Sequence, residues 1–377
     1  MKKLLFGATM VCAAFTGCVN DNESVLSTED NPQPITFEVA KYKPSSRAEV
    51  AFPTNVNFGA YAYVATGTTG HTTFMDNVKI KYFTAETPYW SSEGIQYFWP
   101  DASEGKHLDF ICYAPYNADP TSPAVPKIDN SDEQKTLVFS NFTVDASNPV
   151  DLMFADKAVR QTTNISKYGF TGVPTLFHHA LAKLNIRVRI LNADNSAVSP
   201  GHVTKWSVVV NSIELSNIFT TGTLTLKNAE DHSSATISPW TRVRTIDSYN
   251  VWNINDERTV INKKWAYSQT LSTTASIYGG SNEDRPQNYF VIPQALYDDA
   301  NGQSLTIDYT VTTTNPDNSV VTKNEIKTVK FKSYPSVPAW EMGKNITYTI
   351  EIDPAGDVIH FAPAVVDWED VNGTISI

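Results

Sequence analysis

His178 and His179 are the residues whose type and adjacency most invite a chemical reading, because imidazole nitrogens bind metal ions and carry protons near neutral pH. Neighbours on a strand point to opposite faces, so the two cannot close on one ion. Leading into a strand, one is expected to be packed and the other exposed. The acidic runs DNSDEQ and SNEDR could meet a cation, but they lack the spacing and the glycine of a calcium loop and read as solvated turns. In HLDFICYAP, Cys112 shares a face with Leu108 and Phe110, which marks a buried, inert thiol rather than a nucleophile. The sequence contains no GxSxG, HExxH, CxxC, phosphate-loop or EF-hand pattern. No catalytic constellation, metal site or cofactor site can be named from it, and the expectation is a protein that is not an enzyme. Aromatic residues are plentiful, and YWSSEGIQYFWP brings Trp90, Tyr97, Phe98 and Trp99 together. On exposed loops such rings would stack on sugars; on strands they are core, and core is the expectation.

The amino terminus adds a different chemistry. Lys2 and Lys3 precede an uncharged apolar segment, Leu4–Phe15, and Thr16-Gly17 place small residues just ahead of Cys18. This is the layout of a secretory signal, too short for the roughly 20 residues of a membrane-spanning helix. Small residues followed by cysteine resemble the lipobox of bacterial lipoproteins, which implies that Cys18 is lipidated and becomes the first residue of the mature chain. Several acyl chains, at roughly 0.8 kcal/mol per buried CH₂, would make that anchor permanent. Residues 1–17 are therefore read as signal peptide and 18–34 as a flexible tether, whose Asp21, Glu23, Glu29 and Asp30 leave little to bury.

The 377 residues suffice for two domains. Without Lys2 and Lys3, 27 Lys and Arg face 40 Asp and Glu, a net charge of −13, which argues against nucleic acid as a partner. Cys12 leaves with the signal and Cys18 carries lipid, so Cys112 has no partner for a disulfide and the fold must rest on its core.

Periodicity sets the fold class. LAKLNIRVRI places Leu184, Ile186, Val188 and Ile190 on one face and Lys183, Asn185, Arg187 and Arg189 on the other. ITYTIEI and LTIDYTV repeat the alternation through Ile346, Tyr348, Ile350 and Ile352, and through Leu305, Ile307, Tyr309 and Val311. Shorter runs bounded by Gly, Pro, Asn, Asp and Ser complete an all-β pattern without a convincing amphipathic helix. One polar face per strand predicts antiparallel β-sandwiches, one over 35–172 and one over 173–377, joined near Gly172.

The order of YFWP, LDFICYAPY, HHALAKLNIRV, YFVIPQ, a lone W before GKNITYTIEI, and VVDWED resembles the fimbrillin family, the subunits of type V pili. The resemblance covers nearly the whole chain after Cys18. It implies two transthyretin-like β-sandwich domains, lipoprotein export to the outer membrane surface, and a place in a fimbrium without catalysis. It also gives KPSSRAEVAF a role as a maturation site, in which an arginine-specific protease cuts between Arg47 and Ala48. PITFEVA, with Ile35, Phe37 and Val39 alternating, would then leave as a strand and open a groove. A neighbour's carboxy-terminal segment near 363–377 would fill it. The implied partners are other pilus subunits, that protease, a membrane through Cys18, and a host glycan or protein. The alternative is a surface lipoprotein that does not polymerise and binds glycan through exposed aromatics.

Overall fold

The computed structural model describes residues 32–43, 48–66, 69–101, 105–129, 135–144, 148–165, 171–226, 240–242, 265–270, 276–278, 289–299, 302–333, 336–355 and 358–367. In the first half the strands are β1 Phe37–Lys43, β2 Ala48–Ala51, β3 Phe58–Thr66, β4 Thr69–Phe83, β5 Tyr89–Ser92 and β6 Lys106–Ala114. They continue with β7 Lys127–Asp129, β8 Thr136–Thr143, β9 Met153–Ala155, β10 Ala158–Gln161 and β11 Val173–His179. The second half runs through β12 Ala182–Ile190, β13 Lys205–Ser216, β14 Thr221–Leu226, β15 Trp240–Arg242, β16 Trp265–Thr270 and β17 Ser276–Tyr278. Then come β18 Tyr289–Val291, β19 Gln294–Ala295, β20 Ser304–Thr314, β21 Val320–Lys330, β22 Ala339–Trp340, β23 Lys344–Asp353 and β24 Val358–Asp367. Among the described residues the chain is all-β apart from one 3-10 turn, Phe331–Ser333, as the alternating pattern requires.

The principal sheet of the first half runs β10-β6-β3-β4-β5-β1-β11-β9, and β9 pairs back onto β6 through Tyr113–Phe154 and Ala114–Met153. The sheet therefore closes on itself, and its interior holds one apolar cluster that includes Phe37, Phe58, Leu108, Phe110, Cys112 and Phe177. A second layer, ordered β15-β14-β8-β7, covers the outer face of β3 and β6. Tyr61, Tyr63, Ile111 and Tyr113 meet Phe139, Phe142, Leu224 and Trp240 there.

The second half is a sandwich of two sheets, β17-β12-β23-β24 with β18 beside β12, and β16-β13-β20-β21. The strands with clean alternation fold as their sequences dictate. Leu184, Ile186, Val188 and Ile190 are buried, as are Ile346, Tyr348, Ile350 and Ile352, while the residues between them are half-buried or exposed.

One expectation changes. The sheets are mixed rather than purely antiparallel, because β1 lies parallel to β11 and β12 lies parallel to β23. Alternation reports which face of a strand is buried and carries no information on the direction of a neighbour drawn from far along the chain. β11, just beyond Gly172, pairs with β1 and β9 in the first sheet, and β12 opens the next. From the second half, β14 returns to pair with β8 in the first half's outer layer, and β15 pairs with β14. A shift in composition marks the end of an element, and the partner that the next element selects lies outside any local window.

The lone tryptophan ahead of GKNITYTIEI is Trp340, fully buried, whose Nε1–H donates to Tyr348 Oη at 2.7 Å. Gly343 follows in a turn at φ +71°, a backbone conformation that suits glycine. Phe331 packs edge-on to Trp340 and tilted to Tyr348, with centroids at 5.2 and 4.6 Å. Tyr348→Phe should destabilise the protein by about 1–3 kcal/mol, because the indole N–H stays buried without an acceptor. Urea unfolding of the two proteins, with an unchanged slope against denaturant, checks it.

Candidate functional site

The first strand is the element in the molecule whose position has the widest consequences. Ile35, Phe37 and Val39 are 1%, 1% and 3% exposed, so the alternation of PITFEVA is reproduced inside the closed sheet. Phe37 sits edge-on to Phe58 and Phe110, with centroids at 5.5 and 5.7 Å. At roughly 1.5–3 kcal/mol per fully buried side chain, these three anchors contribute about 4.5–9 kcal/mol of the strand's hold. Glu38 and Ala40 are buried as well, so β1 is covered on both faces.

Its backbone is paired on both edges. Along one edge β1 follows β11 in parallel register from Phe37–Val173 to Lys41–Phe177. Along the other it meets β5 at Phe37–Trp90 and then β2 from Ala40–Ala51 to Lys43–Ala48. The approach to β11 demands glycine at the start. A Cβ on Gly172 would lie 2.5 Å from the Phe37 carbonyl carbon and 2.6 Å from Glu38 N, closer than any side chain tolerates.

The residues ahead of β1 are held by side chains that sequence reasoning did not single out. Asn164 Oδ1 accepts from Trp99 Nε1 at 3.0 Å and from Thr36 N at 3.3 Å, while its Nδ2 donates to Pro34 O at 2.9 Å. Ile35 N donates to Tyr97 O and Trp99 N to Gln33 O, so the YFWP motif clamps the entry to the strand. Residues 33 and 34, expected in the flexible tether, are therefore part of the folded body. Apolar alternation points to the strand but is silent about an asparagine 128 residues away in sequence.

Of the sequence-derived site residues, Cys18 and Arg47 lie outside the described residues, as do residues 130–134 and 281–285 of the two acidic runs. Ala48 opens β2, and its register partner is Lys43, which places the two ends of the 44–47 connection opposite each other. The expected donor segment divides. Residues 363–367 belong to β24, which pairs with β23 alone among the described residues, and 368–377 lie outside them. Val365 on β24 is exposed at 43%.

The histidine expectation is corrected. Both rings are buried, and each donates to an aspartate: His178 Nε2 to Asp156 Oδ1 at 2.8 Å and His179 Nδ1 to Asp151 Oδ1 at 2.9 Å. The rings face opposite ways as expected, but β11 is covered on both sides, so neither face is open to water. His178 also stacks on Phe154. Among the described residues no group of three or more His, Cys, Asp or Glu is placed to hold a metal ion. Cys112 is buried beside Leu108 and Phe110, and burial pushes its thiol well above the usual range. Trp90 and Trp99 are core, Tyr97 is half-buried and Phe98 is exposed at 38%, so most of the aromatic cluster is packing.

Comparison with known proteins gives this geometry a family. The fimbrillin-like family model matches residues 46–368, and the chain belongs to that family. A fimbrial protein from Bacteroides vulgatus shares the fold, with a TM-score of 0.56 at 17% identity over 89% of this chain and all of that one. The tip fimbrial protein Mfa3 from Porphyromonas gingivalis, solved with a carboxy-terminal truncation, aligns over 89% of this chain and all of its own at 12% identity and a TM-score of 0.31. No curated protein matches.

Two substitutions probe the seat of β1. Phe37→Ala should cost about 3–5 kcal/mol by emptying the centre of the closed sheet. Asn164→Ala should cost about 1–3 kcal/mol by leaving Trp99 Nε1 unpaired. It should also speed amide exchange at Thr36, which deuterium exchange read by mass spectrometry would resolve from the rest of the chain.

Proposed function

We propose that the protein is a non-catalytic structural subunit of a cell-surface pilus, exported as a lipoprotein through Cys18 and assembled by strand exchange after cleavage between Arg47 and Ala48. Membership of the fimbrillin-like family supports the pilus reading. The observation that carries the mechanism is the seat of β1, a strand buried on both faces and joined to β2 through residues 44–47. A cut at Arg47 separates β1 from the body while leaving β2 attached. Departure of β1 would expose the apolar positions around Phe58, Phe110 and Phe177 and the paired edge of β11, a surface that favours another strand. The segment 363–377 of a neighbouring subunit, rich in β-branched residues, has the composition to fill it. The partners in this reading are other pilus subunits, an arginine-specific protease and the outer membrane.

Gel filtration and unheated electrophoresis of uncut, trypsin-cut, and cut-and-truncated protein test the mechanism. Uncut protein without its signal should be a monomer. Limited trypsin should cut first after Arg47 and yield oligomers that resist brief detergent. Deleting the closing NGTISI should permit the cut and prevent growth. Cut protein that stays monomeric, or truncated protein that grows as well as the full chain, defeats strand exchange. Cys18→Ala should move the protein from the membrane fraction to the soluble one.

A further inference from the structure

We infer that the second half carries a binding cleft for one neutral, pyranose-sized sugar residue, at the end where β23 stops. A cleft of about 200 Å³ opens between the inner face of the β20–β21 hairpin and the end of β23. It is smaller than the roughly 300–1,000 Å³ of pockets that take drug-sized ligands, so it has room for a single ring rather than a chain. The site is separate from strand exchange, because its lining residues lie outside both β1 and the 363–377 segment.

The lining has two chemistries. Tyr309 and Ile352, both buried, form an apolar floor, with Val311 and Val321 beside them. Thr313, Lys323, Glu325 and Asp353 supply the polar groups. The register explains why they converge: Thr313, Val311 and Tyr309 on β20 stand opposite Val321, Lys323 and Glu325 on β21, so all six share the face turned to the cleft. Glu325 is held between two lysines, while the Lys323 side chain, 63% exposed, stands at the mouth of the cleft. Lys323 Nζ pairs with Glu325 Oε1, and Lys327 Nζ lies 3.6 Å from Glu325 Oε2. The Glu325 side chain is 12% exposed.

Inward charges on an edge strand also guard that edge against pairing with another chain, which accounts for lysine at these positions. Guarding alone does not require an apolar floor or a concavity. A sugar ring matches both parts, since its C–H face lies on Val311 and Val321 while its hydroxyls reach donors and acceptors at the mouth. Lys323 donates, Glu325 and Asp353 accept, and Thr313 does either. Glu325 and Asp353 are matched by Lys323 and, against Glu325, Lys327, so the cleft carries no net positive charge to select sialic or uronic acids.

The test is ligand-observed NMR on the folded full chain without its signal, using methyl glycosides of glucose, galactose, mannose, fucose and N-acetylglucosamine, with N-acetylneuraminic acid as the anionic probe. At least one neutral glycoside should bind with a Kd of about 1 mM or tighter, and the anionic probe should not. Thr313→Trp, which fills the mouth from a half-buried position, should weaken binding at least about tenfold with an unchanged Tm. Lys323→Met should weaken it as well, and Lys332→Met, on a residue outside the cleft, should not. A second arm presents the same sugars as terminal residues of immobilised glycans. Binding there identifies a surface glycan as the source, and binding of the free glycosides alone identifies a free sugar. No neutral glycoside bound at about 10 mM, preference for the anionic probe, or full binding by folded Thr313→Trp overturns the inference.

Discussion

The structure of the first half depends on one strand filling the gap between β5 and β11. Without β1 the closed sheet becomes an open one with two facing edges, and the apolar interior loses Ile35, Phe37 and Val39 together. A backbone edge and an apolar groove are each costly in water, and here a single segment relieves both. The segment that does so is followed along the chain by β2, which pairs with it edge to edge. Much of the stability of the first half therefore resides in one element.

The two halves are not independent bodies side by side. β14 and β15 leave the second half to complete the sheet begun by β7 and β8, and the cluster they close includes Phe290, Ile292 and Met342. The Nε1–H of Trp240 donates to Ala180 O at 2.8 Å, in the short passage between β11 and β12. Gly343 N donates to Leu181 O in the same passage. Nearby, the buried Gln294 and Gln303 satisfy the backbone where β19 and β22 pair: Gln294 Nε2 donates to Ile292 O and Phe219 O, and Gln303 Nε2 donates to Gln294 Oε1 and Ala295 O. Interiors of this kind tolerate polar side chains only when each is bonded, and the reward is a single arrangement of the segments they bridge.

The second half manages its open side differently. β21 and β24 each end the order of their sheet, and neither is paired on its outer edge with another described strand. On β21, Lys323, Glu325 and Lys327 occupy inward positions that apolar residues would otherwise fill. A cleft lined by Lys323, Glu325 and the end of β23 lies beside the apolar floor of Tyr309 and Ile352. The same residues that keep the edge from pairing give that cleft its polar mouth.

Alternation along β12, β20 and β23 determined those strands residue by residue, because in a half-buried strand the burial of each side chain is written in its own polarity. The apolar character of β1, the inertness of Cys112 and the absence of a catalytic motif were legible for the same reason. The order of short motifs sufficed to identify the family, although it did not explain why Trp99, Gln294 and Trp340 belong to those motifs. Trp99 and Gln294 each bury a polar atom bonded to a partner far along the chain, Asn164 and Phe219, while Trp340 bonds Tyr348 eight residues on. Tertiary structure alone decided the parallel pairings of β1 with β11 and β12 with β23, the return of β14 to β8, and the burial of both His178 and His179. It alone placed the cleft at the end of β23. These features depend on which distant segments meet, and no local property of a strand encodes the identity of its neighbour.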